Sequence, residues 1–324
     1  MSHIRHHRST GIIPQASGAA VAALKARAAA WDVPLVETPE QLSMFVWDCE
    51  LRLKIEADSL RIDLSGPEAR LIGILRDSAT ELFAEVGLSA KWDQLDVGAL
   101  APGLSLMRVE AVTPLTPGFI RVRLSGADAP RFGERSLHFR LLLPPEGRVP
   151  VWPRIAETGR TAWPEGEDAL HRPVYTVAAQ SGNWLDFDIF RHENSPTCDW
   201  AMSNPVGQEV GILGPGGGWC PEADRLWLFG DETALPAIAR MLDLARGQVR
   251  ATLCVQPEDM GALAGDARVG RTDDLLAALS GLPEPGEGDF VWFAGPAEQV
   301  RAARKHLLSL GVAKKDFMSA AYWG

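Results

Sequence analysis

Two adjacent residues, Tyr175 and Thr176 in the stretch LHRPVYTVAAQ, have side chains that suit a flat redox cofactor. The chain has eleven tryptophans but only two tyrosines, and the other tyrosine, Tyr322, stands near the end in YWG. A flavin ring needs an aromatic partner against one face and a hydrogen-bond donor near its N5 atom, and a Tyr–Thr pair supplies both. Aromatic stacking contributes about 0.5–1.5 kcal/mol beyond area burial. Both residue types also favour β-strands, so simple filling of a strand is the alternative interpretation.

A second stretch, DFDIFRHENSPTCDWA, combines basic and hydroxyl side chains. Arg191 and His192 end a predicted strand, and a turn through Ser195 and Thr197 begins a short helix. Backbone amides at a helix start, together with hydroxyls and an arginine, suit a pyrophosphate group. The alternative is that Ser195 or Thr197 only caps the helix and that His192 is a structural or surface residue.

Two turns are candidates for contacts with a nucleotide. LFGDETALPAI (228–238) leads from an apolar strand into a helix, and its Gly230 would let a ligand approach the backbone. Because an acidic turn is a poor cradle for pyrophosphate, we expect nicotinamide near it; an ordinary turn with an N-cap is the alternative. GILGPGGGW (211–219) fails as a G-x-G-x-x-G fingerprint because the last position is Trp219. It predicts either a flexible loop between domains or a backbone nest for an anion or flavin.

The first part of the chain, residues 1–103, predicts a small α+β domain. An alanine-rich helix is expected over 16–31, and apolar residues that alternate over 51–64 predict a hairpin. Helical periodicity returns over 67–87, where a proline stands near the start and a glycine at the end. Residues 96–103 are expected to form a linker.

The rest of the chain predicts two further domains. Residues 104–222 contain six short strands, one of them PVYTVAAQ, with Gly, Pro and Asn at the breaks, which is typical of a small antiparallel barrel. Residues 223–324 alternate strand and helix, which predicts a doubly wound parallel sheet with helices on both faces. Such sheets bind nucleotides at the carboxyl ends of their strands.

Size and charge exclude several classes of protein. The 324 residues allow two or three domains, and a net charge of −10 argues against a nucleic-acid partner. No apolar run approaches the ~20 residues of a membrane helix, and the start lacks the apolar region of a signal peptide. The four cysteines have no CxxC spacing, so we expect a reducing cytoplasm, no disulfide framework and no metal site.

Taken in order, these stretches resemble the siderophore-interacting protein family, the flavin-dependent ferric-siderophore reductases of the ferredoxin-reductase-like superfamily. The resemblance covers about residues 105–324, and its most specific piece is GDETALPAI. SLHFRLLLPP, VYTV, SPTCDWA, VGILGPGGGW, VWFAG and the terminal YW follow in the family's order. Pro173 stands where the family's usual Arg-x-Tyr-Thr motif has arginine, with Arg172 one residue earlier, and Pro296 stands where the family often has glutamate. The first domain resembles, more loosely, a domain of unknown function found ahead of such proteins.

The resemblance implies FAD in a Greek-key barrel, NADPH or NADH as electron donor, and reduction of Fe(III) in an anionic siderophore for iron acquisition. Siderophore oxygens hold Fe(III) tightly and Fe(II) weakly, so one electron is enough to release the metal. A nicotinamide delivers two electrons as hydride, and a flavin converts between the two.

The resemblance also implies roles for individual residues. Tyr175 is expected to stack on the flavin and Thr176 to meet its N5 atom, and these two form the expected catalytic pair. The chain end is expected to return to the opposite face of the flavin, with core packing as the alternative. The expected cofactor-binding residues are Arg172, Tyr175, Thr176, Val177, Asp188, Arg191, His192, Ser195, Thr197, Cys198, Gly214, Gly216, Gly217, Gly218, Trp219, Asp231, Thr233, Ala234, Tyr322 and Trp323. The expected basic rim for the substrate consists of Arg140, Arg301, Arg304 and Lys305, with a solvated helix face as the alternative for the last three.

Two other functions stay open at this stage. One is a general NAD(P)H- or ferredoxin-linked flavin oxidoreductase, in which ferredoxin would be a separate protein because the chain has no cysteine cluster for an iron–sulfur centre. The other is a non-catalytic protein that binds ferric siderophore. The displaced Arg172 and the proline at position 296 are the reasons to retain this non-catalytic alternative.

Overall fold

The computed structural model describes residues 5–14, 18–133 and 136–324. The chain divides into two compact units. The N-terminal unit contains the residues up to Leu104 and also residues 144–170, which we call the insert. The C-terminal unit contains Ser105–Leu143 and His171–Gly324. The domain boundaries derived from the sequence, after residues 103 and 222, stay predictions; the insert lies inside the segment that we expected to form the barrel.

The helices and strands follow in chain order. The first half contains β1 (His7–Ile13), α1 (Gly18–Trp31), β2 (Leu35–Glu37), β3 (Gln41–Val46), β4 (Cys49–Ile55), β5 (Leu60–Gly66), α2 (Ala69–Glu85), β6 (Lys91–Trp92), β7 (Leu104–Thr116), β8 (Phe119–Ser125), β9 (Ser136–Leu142), β10 (Arg154–Ile155) and β11 (Thr161–Ala162). The second half contains β12 (Val174–Thr176), β13 (Ala179–Ser181), β14 (Trp184–Phe190), α3 (Pro196–Met202), β15 (Glu209–Trp219), β16 (Arg225–Asp231), α4 (Leu235–Leu244), β17 (Gln248–Cys254), β18 (Val269–Arg271), α5 (Leu275–Ser280), β19 (Asp289–Pro296), α6 (Ala297–Ser309) and β20 (Phe317–Trp323).

The N-terminal unit is built on a sheet with the strand order β2-β3-β4-β5-β1-β6. The predicted hairpin is confirmed as the antiparallel pair β4–β5, in which Leu53 lies opposite Ile62. These alternating apolar side chains are buried, together with residues of α1 and α2 such as Leu24 and Phe83. Both predicted helices are confirmed, and α1 is described from Gly18 because residues 15–17 lie outside the described part.

The predicted barrel is confirmed as a sheet with the strand order β12-β9-β15-β7-β8-β14-β13. The stretch that we expected to be one strand, PVYTVAAQ, divides into β12 and β13, which lie at opposite edges of this sheet. The division occurs because Val177 N–H donates to Leu137 O on β9, whereas Ala178 N–H donates to Asp186 O on β14. Changing partner between these two residues closes the sheet around a core that includes Phe139 and Phe187.

The glycine-rich stretch is a strand, so the flexible-loop interpretation is wrong, whereas the backbone nest stays a prediction. Strand β15 continues through Trp219 and pairs with β9, with register shifts on either side of Gly216. The second shift, between Gly216 and Trp219, lies where Gly217 and Gly218 take positive φ angles of 59° and 68°, a region that favours glycine.

The C-terminal part of the second unit is the predicted doubly wound sheet, with the parallel strand order β18-β17-β16-β19-β20. Along β16, Leu226 and Leu228 pack in the cluster that contains α4, whereas Trp227 and Phe229 pack with α5 and α6. Helices therefore cover both faces. The strand order reverses between β16 and β19, and such a switch point is where open sheets of this kind bind ligands.

Two buried polar side chains of the α/β part bind the barrel. Arg240 on α4 donates to Val177 O at 2.9 Å, to Phe132 O at 3.2 Å and to Leu137 O at 3.4 Å. Asp259 Oδ1 accepts from Thr116 Oγ1 and from Gly118 N–H, each at 2.7 Å. The close approach requires glycine at position 118, because a Cβ there would collide with the Asp259 carboxylate.

We expect Arg240→Leu to lower the free energy of unfolding by about 2–4 kcal/mol, because buried carbonyls would lose a charged donor. Chemical denaturation followed by tryptophan fluorescence measures this change. Arg250→Leu is the control, because Arg250 is exposed and donates to Ala267 O. Equal losses in both variants would show that Arg240 has no special role in holding the barrel.

Candidate functional site

The predicted catalytic pair lies on β12, next to β9. Tyr175 is opposite Phe139, and Thr176 is opposite His138. Residues directly opposite in an antiparallel pair share a face of the sheet, so Thr176 and His138 lie side by side. The Tyr175 ring packs on the barrel core, with its centroid 5.0 Å from that of Phe187 and an interplanar angle of 49°.

The phenol of Tyr175 belongs to a small polar cluster. Thr197 of α3 is hydrogen-bonded to this phenol, and its Oγ1 also lies 3.1 Å from His171 Nε2. Burial raises the pKa of Tyr175 to about 12, although the bond from Thr197 opposes that rise. Burial lowers the pKa of His171. The phenol is therefore neutral at physiological pH, and its ring is held in place from the α3 side.

His138 joins three separate parts of the chain. Its Nδ1 lies 2.8 Å from Gly217 O on β15, and its Nε2 lies 2.9 Å from the Tyr322 hydroxyl on β20. A carbonyl can only accept, so Nδ1 carries the proton, and in a neutral ring Nε2 then accepts from Tyr322. Burial lowers the pKa of His138, which favours this neutral ring. Burial also raises the pKa of Tyr322, so its hydroxyl keeps the proton that it donates.

The carboxyl edge of the parallel sheet is organised by Asp231. Its Oδ1 accepts from Thr233 Oγ1 at 2.6 Å and from the Thr233 and Ala234 amides, and its Oδ2 accepts from the Trp323 indole N–H at 2.7 Å. The expectation that Gly230 leaves room for a ligand is wrong, because a Cβ there would lie 2.5 Å from Ala234 Cβ. The glycine allows α4 to pack closely on β16.

Several candidate residues in and before α3 have hydrogen-bond partners within the protein. Ser195 is the N-cap and accepts from Cys198 N–H at 3.3 Å, while Cys198 Sγ donates to Phe190 O at 3.4 Å. Asp188 is held by Arg121 through two bonds of 2.7 and 2.8 Å. The role of Asp188 in cofactor binding stays a prediction, and its carboxylate already has a strong protein partner.

The predicted basic residues lie in different places. Arg140 on β9 is exposed, and its Nη1 donates to Arg172 O at 2.7 Å, which fixes the backbone just before Tyr175. Arg191 is exposed at the end of β14. The other three rim residues lie on the exposed side of α6, and no hydrogen bond or ion pair described for this part of the chain joins them to β9 or β12. They are Arg301, Arg304 and Lys305.

Two family models match the C-terminal two thirds of the chain. Residues 108–219 match the siderophore-interacting FAD-binding domain, and residues 223–324 match the siderophore-interacting protein model. The chain belongs to the siderophore-interacting protein family. The predicted family is thereby confirmed.

Named relatives and solved structures agree with this membership. Ferric vibriobactin reductase ViuB of Vibrio cholerae is 29% identical over 241 residues, covering 64% of this chain and 85% of that protein. The NADPH-dependent ferric-chelate reductase of Escherichia coli is 26% identical, covering 68% of this chain and 91% of that protein. A siderophore utilization protein from T. fusca superimposes with a TM-score of 0.53 at 29% identity, covering 71% of this chain and 95% of that structure. The siderophore-interacting protein SipS from Aeromonas hydrophila has a similar fold, with a TM-score of 0.57 at 23% identity, covering 68% of this chain and 91% of that structure.

The residues present fit FAD. The half-buried Tyr175 ring is fixed by the Phe187 contact and the Thr197 hydroxyl, so it offers a rigid aromatic surface. Two exposed arginines stand close to these residues in the sequence, Arg172 before Tyr175 and Arg191 before Thr197, and carry the charge that a pyrophosphate requires. In the described residues, no group of three or more His, Cys, Asp or Glu side chains could hold a metal ion, and no helix is long and apolar enough to cross a membrane.

Sequence reasoning missed three residues of this region: His138, His171 and Arg240. His138 stands inside a quoted family stretch, SLHFRLLLPP, but nothing in its spacing indicates partners at positions 217 and 322. Arg240 lies within an amphipathic helix, where an arginine normally faces solvent. Only the packing of α4 on the barrel reveals its buried position.

The lowered pKa of His138 predicts a pH dependence of stability. An unfolded histidine takes up a proton as the pH falls through about 6.5, whereas half-buried His138 resists it, so the unfolded state binds more protons. Stability is therefore complete above about pH 6.5 and declines below it, by at most about 1.4 kcal/mol per pH unit for each such histidine.

We expect His138→Asn to make this decline shallower, because asparagine can still donate to Gly217 O and does not titrate. Denaturation midpoints between pH 5 and 8 give the measurement, with the exposed His192→Asn as control. An unchanged slope in the His138 variant would exclude His138 as a source of the pH dependence and leave His171, whose pKa desolvation also lowers.

Proposed function

We propose that this protein is an FAD-dependent ferric-siderophore reductase that takes electrons from NADPH or NADH. The observation that supports this most is the fixed Tyr175–Thr176 pair on β12, inside the segment that matches the siderophore-interacting FAD-binding domain. Bound FAD would accept two electrons as hydride from the nicotinamide and pass them singly to Fe(III).

The chain's own residues position the reactants in this proposal. The Tyr175 ring offers a face to the isoalloxazine, and Thr176 offers its hydroxyl toward N5. Arg172, Arg191 and the hydroxyls of Ser195 and Thr197 would meet the pyrophosphate. Tyr322 is hydrogen-bonded to His138 of the barrel, and the neighbouring Trp323 indole N–H donates to Asp231 at the carboxyl edge of the parallel sheet.

The substrate in this proposal is an anionic ferric siderophore. Ferric-chelate and ferric vibriobactin reductases are among the relatives, and one of them is named for NADPH. The predicted rim of Arg140, Arg301, Arg304 and Lys305 would attract the chelate despite the overall net charge of −10. We place the reaction in the cytoplasm, where the four free cysteines would stay reduced.

An anaerobic electron-transfer experiment tests the proposal. The purified protein is reconstituted with FAD and mixed with NADH or NADPH, and then with a ferric catecholate and a ferrous trap, while visible flavin absorbance is followed. Bleaching by a nucleotide, followed by reoxidation with trapped Fe(II), is the expected result. Bound flavin that neither nucleotide bleaches would favour a protein donor such as a ferredoxin. Failure to bind any flavin would leave the non-catalytic binder.

Tyr175→Ala should weaken FAD binding by about tenfold or more, because it removes both the stacking surface and its buried area. Tyr175→Phe should stay within about threefold of the unmodified protein, since the ring remains and only the bond to Thr197 is lost. Fluorescence titration of apoprotein with FAD gives both affinities. Equal affinities for the alanine and phenylalanine variants would contradict a stacking role.

A further inference from the structure

The insert, residues 144–170, is held by the linker segment of the N-terminal unit. Gly98 N–H donates to Ile155 O at 2.8 Å, Ile155 N–H donates to Ala99 O at 2.9 Å, and Ala101 N–H donates to Pro153 O at 2.8 Å. The stretch that we expected to be a plain linker, 96–103, is therefore a backbone partner of the insert.

Helix α2 holds the insert at a second point. Asp77 accepts from Thr161 N–H at 2.8 Å and from Thr161 Oγ1 at 2.9 Å. One turn further along α2, Glu81 forms an exposed ion pair with Arg160 at 3.0 Å. Because Asp77 binds both the backbone and the side chain of one residue, it fixes the position of β11 rather than only attracting it.

Trp92 provides a third contact. A Cβ at Gly159 would lie 2.7 Å from Trp92 Cδ1, so the insert's backbone lies directly against the indole ring. Gly159 also has a φ angle of +83°, which favours glycine. The indole N–H donates to Thr80 Oγ1 at 2.9 Å, so the ring is fixed on α2.

The chain path connects these contacts to the candidate site. The insert leaves the barrel after Leu143 and returns at His171, and these two residues exchange backbone hydrogen bonds of 2.9 and 3.0 Å. His171 contacts Thr197, and Arg172 O accepts from Arg140. Tyr175 follows four residues after the point of return.

The insert is too long to order itself well. It spans the 27 residues 144–170, and its strands β10 and β11 have only two residues each. Connections longer than about 12–15 residues without secondary structure are uncommon in compact domains. The contacts from 96–103, α2 and Trp92 therefore restrain a segment that has little regular structure of its own.

We propose that the N-terminal unit is a positioning module for the flavin segment: by holding the insert, it keeps residues 171–176 in the conformation that binds FAD. This inference rests on the proposed function. A protein whose binding-competent conformation is populated only in part binds its ligand with an affinity reduced by that fraction. Asp77 is a positioning residue in this scheme, since it acts through Thr161 and the chain that follows.

The test compares Asp77→Ala with Asp77→Asn in the full-length protein. Alanine removes both bonds to Thr161, whereas asparagine can accept from Thr161 N–H and donate to its hydroxyl. We expect Asp77→Ala to bind FAD about three- to tenfold more weakly and Asp77→Asn to bind like the unmodified protein. Amide hydrogen exchange at residues 171–177 should be faster in the alanine variant alone.

Glu85→Ala is the matched control, because Glu85 is also on α2 but pairs with Arg27 at 3.3 Å and not with the insert. It should change neither FAD affinity nor exchange at 171–177. If Asp77→Ala fails to fold, Thr161→Val replaces it, since valine loses only the hydroxyl bond and should give a smaller change in the same direction.

The outcomes separate the two proposals. Faster exchange within the insert of Asp77→Ala, with unchanged FAD affinity and unchanged exchange at 171–177, would overturn the positioning role and leave the proposed function intact. If the unmodified protein binds no FAD, the proposed function fails. In that case, exchange at 171–177 in the FAD-free variants alone decides whether the N-terminal unit orders this segment.

Discussion

The candidate site depends on a polar clamp between the barrel and the parallel sheet. Arg240 gives buried donors to barrel carbonyls, and Asp259 gives a buried acceptor to the barrel's Thr116 and Gly118. Apolar packing is nondirectional and permits sliding, whereas these bonds have fixed directions. Because Arg240 binds the carbonyl of Val177, directly after the predicted catalytic pair, the clamp also fixes the position of β12 relative to the carboxyl edge of the sheet.

The strand pair β9–β12 is where the end of the chain meets the barrel. His138 and Thr176 are opposite each other, and His138 accepts from Tyr322 while donating to Gly217. A charged imidazole could not accept from the phenol, so burial, which keeps the ring neutral, is a requirement of this arrangement. The two tyrosines of the sequence are thus both half-buried at the pair β9–β12, Tyr175 within β12 and Tyr322 through its bond to His138 on β9. Tyr322 also packs edge-on against Trp292.

Local patterns in the sequence predict the elements but not their long-range partners. The alternation around Leu53 and Ile62 is confirmed as a hairpin because each residue's face is set by its immediate neighbours. The same reasoning treats PVYTVAAQ as one strand, because no local signal marks the change of partner at Val177. Gly230 is predicted to leave room for a ligand, but the space is filled by Ala234. A glycine in the sequence indicates that space is needed and does not indicate which atom fills it.

Two distant parts of the chain therefore act on the same few residues. Tyr322 approaches β9 from the C-terminal end through His138, while the insert leads into β12 through His171. A cofactor bound there needs its aromatic and polar partners ordered before it arrives, because ordering them on binding would reduce its affinity. A short β12 of three residues cannot supply that order by itself. Its order must come from β9 on one side and from restraints on the chain before it. The insert precedes β12, so the N-terminal unit that holds the insert can influence the residues proposed to bind FAD.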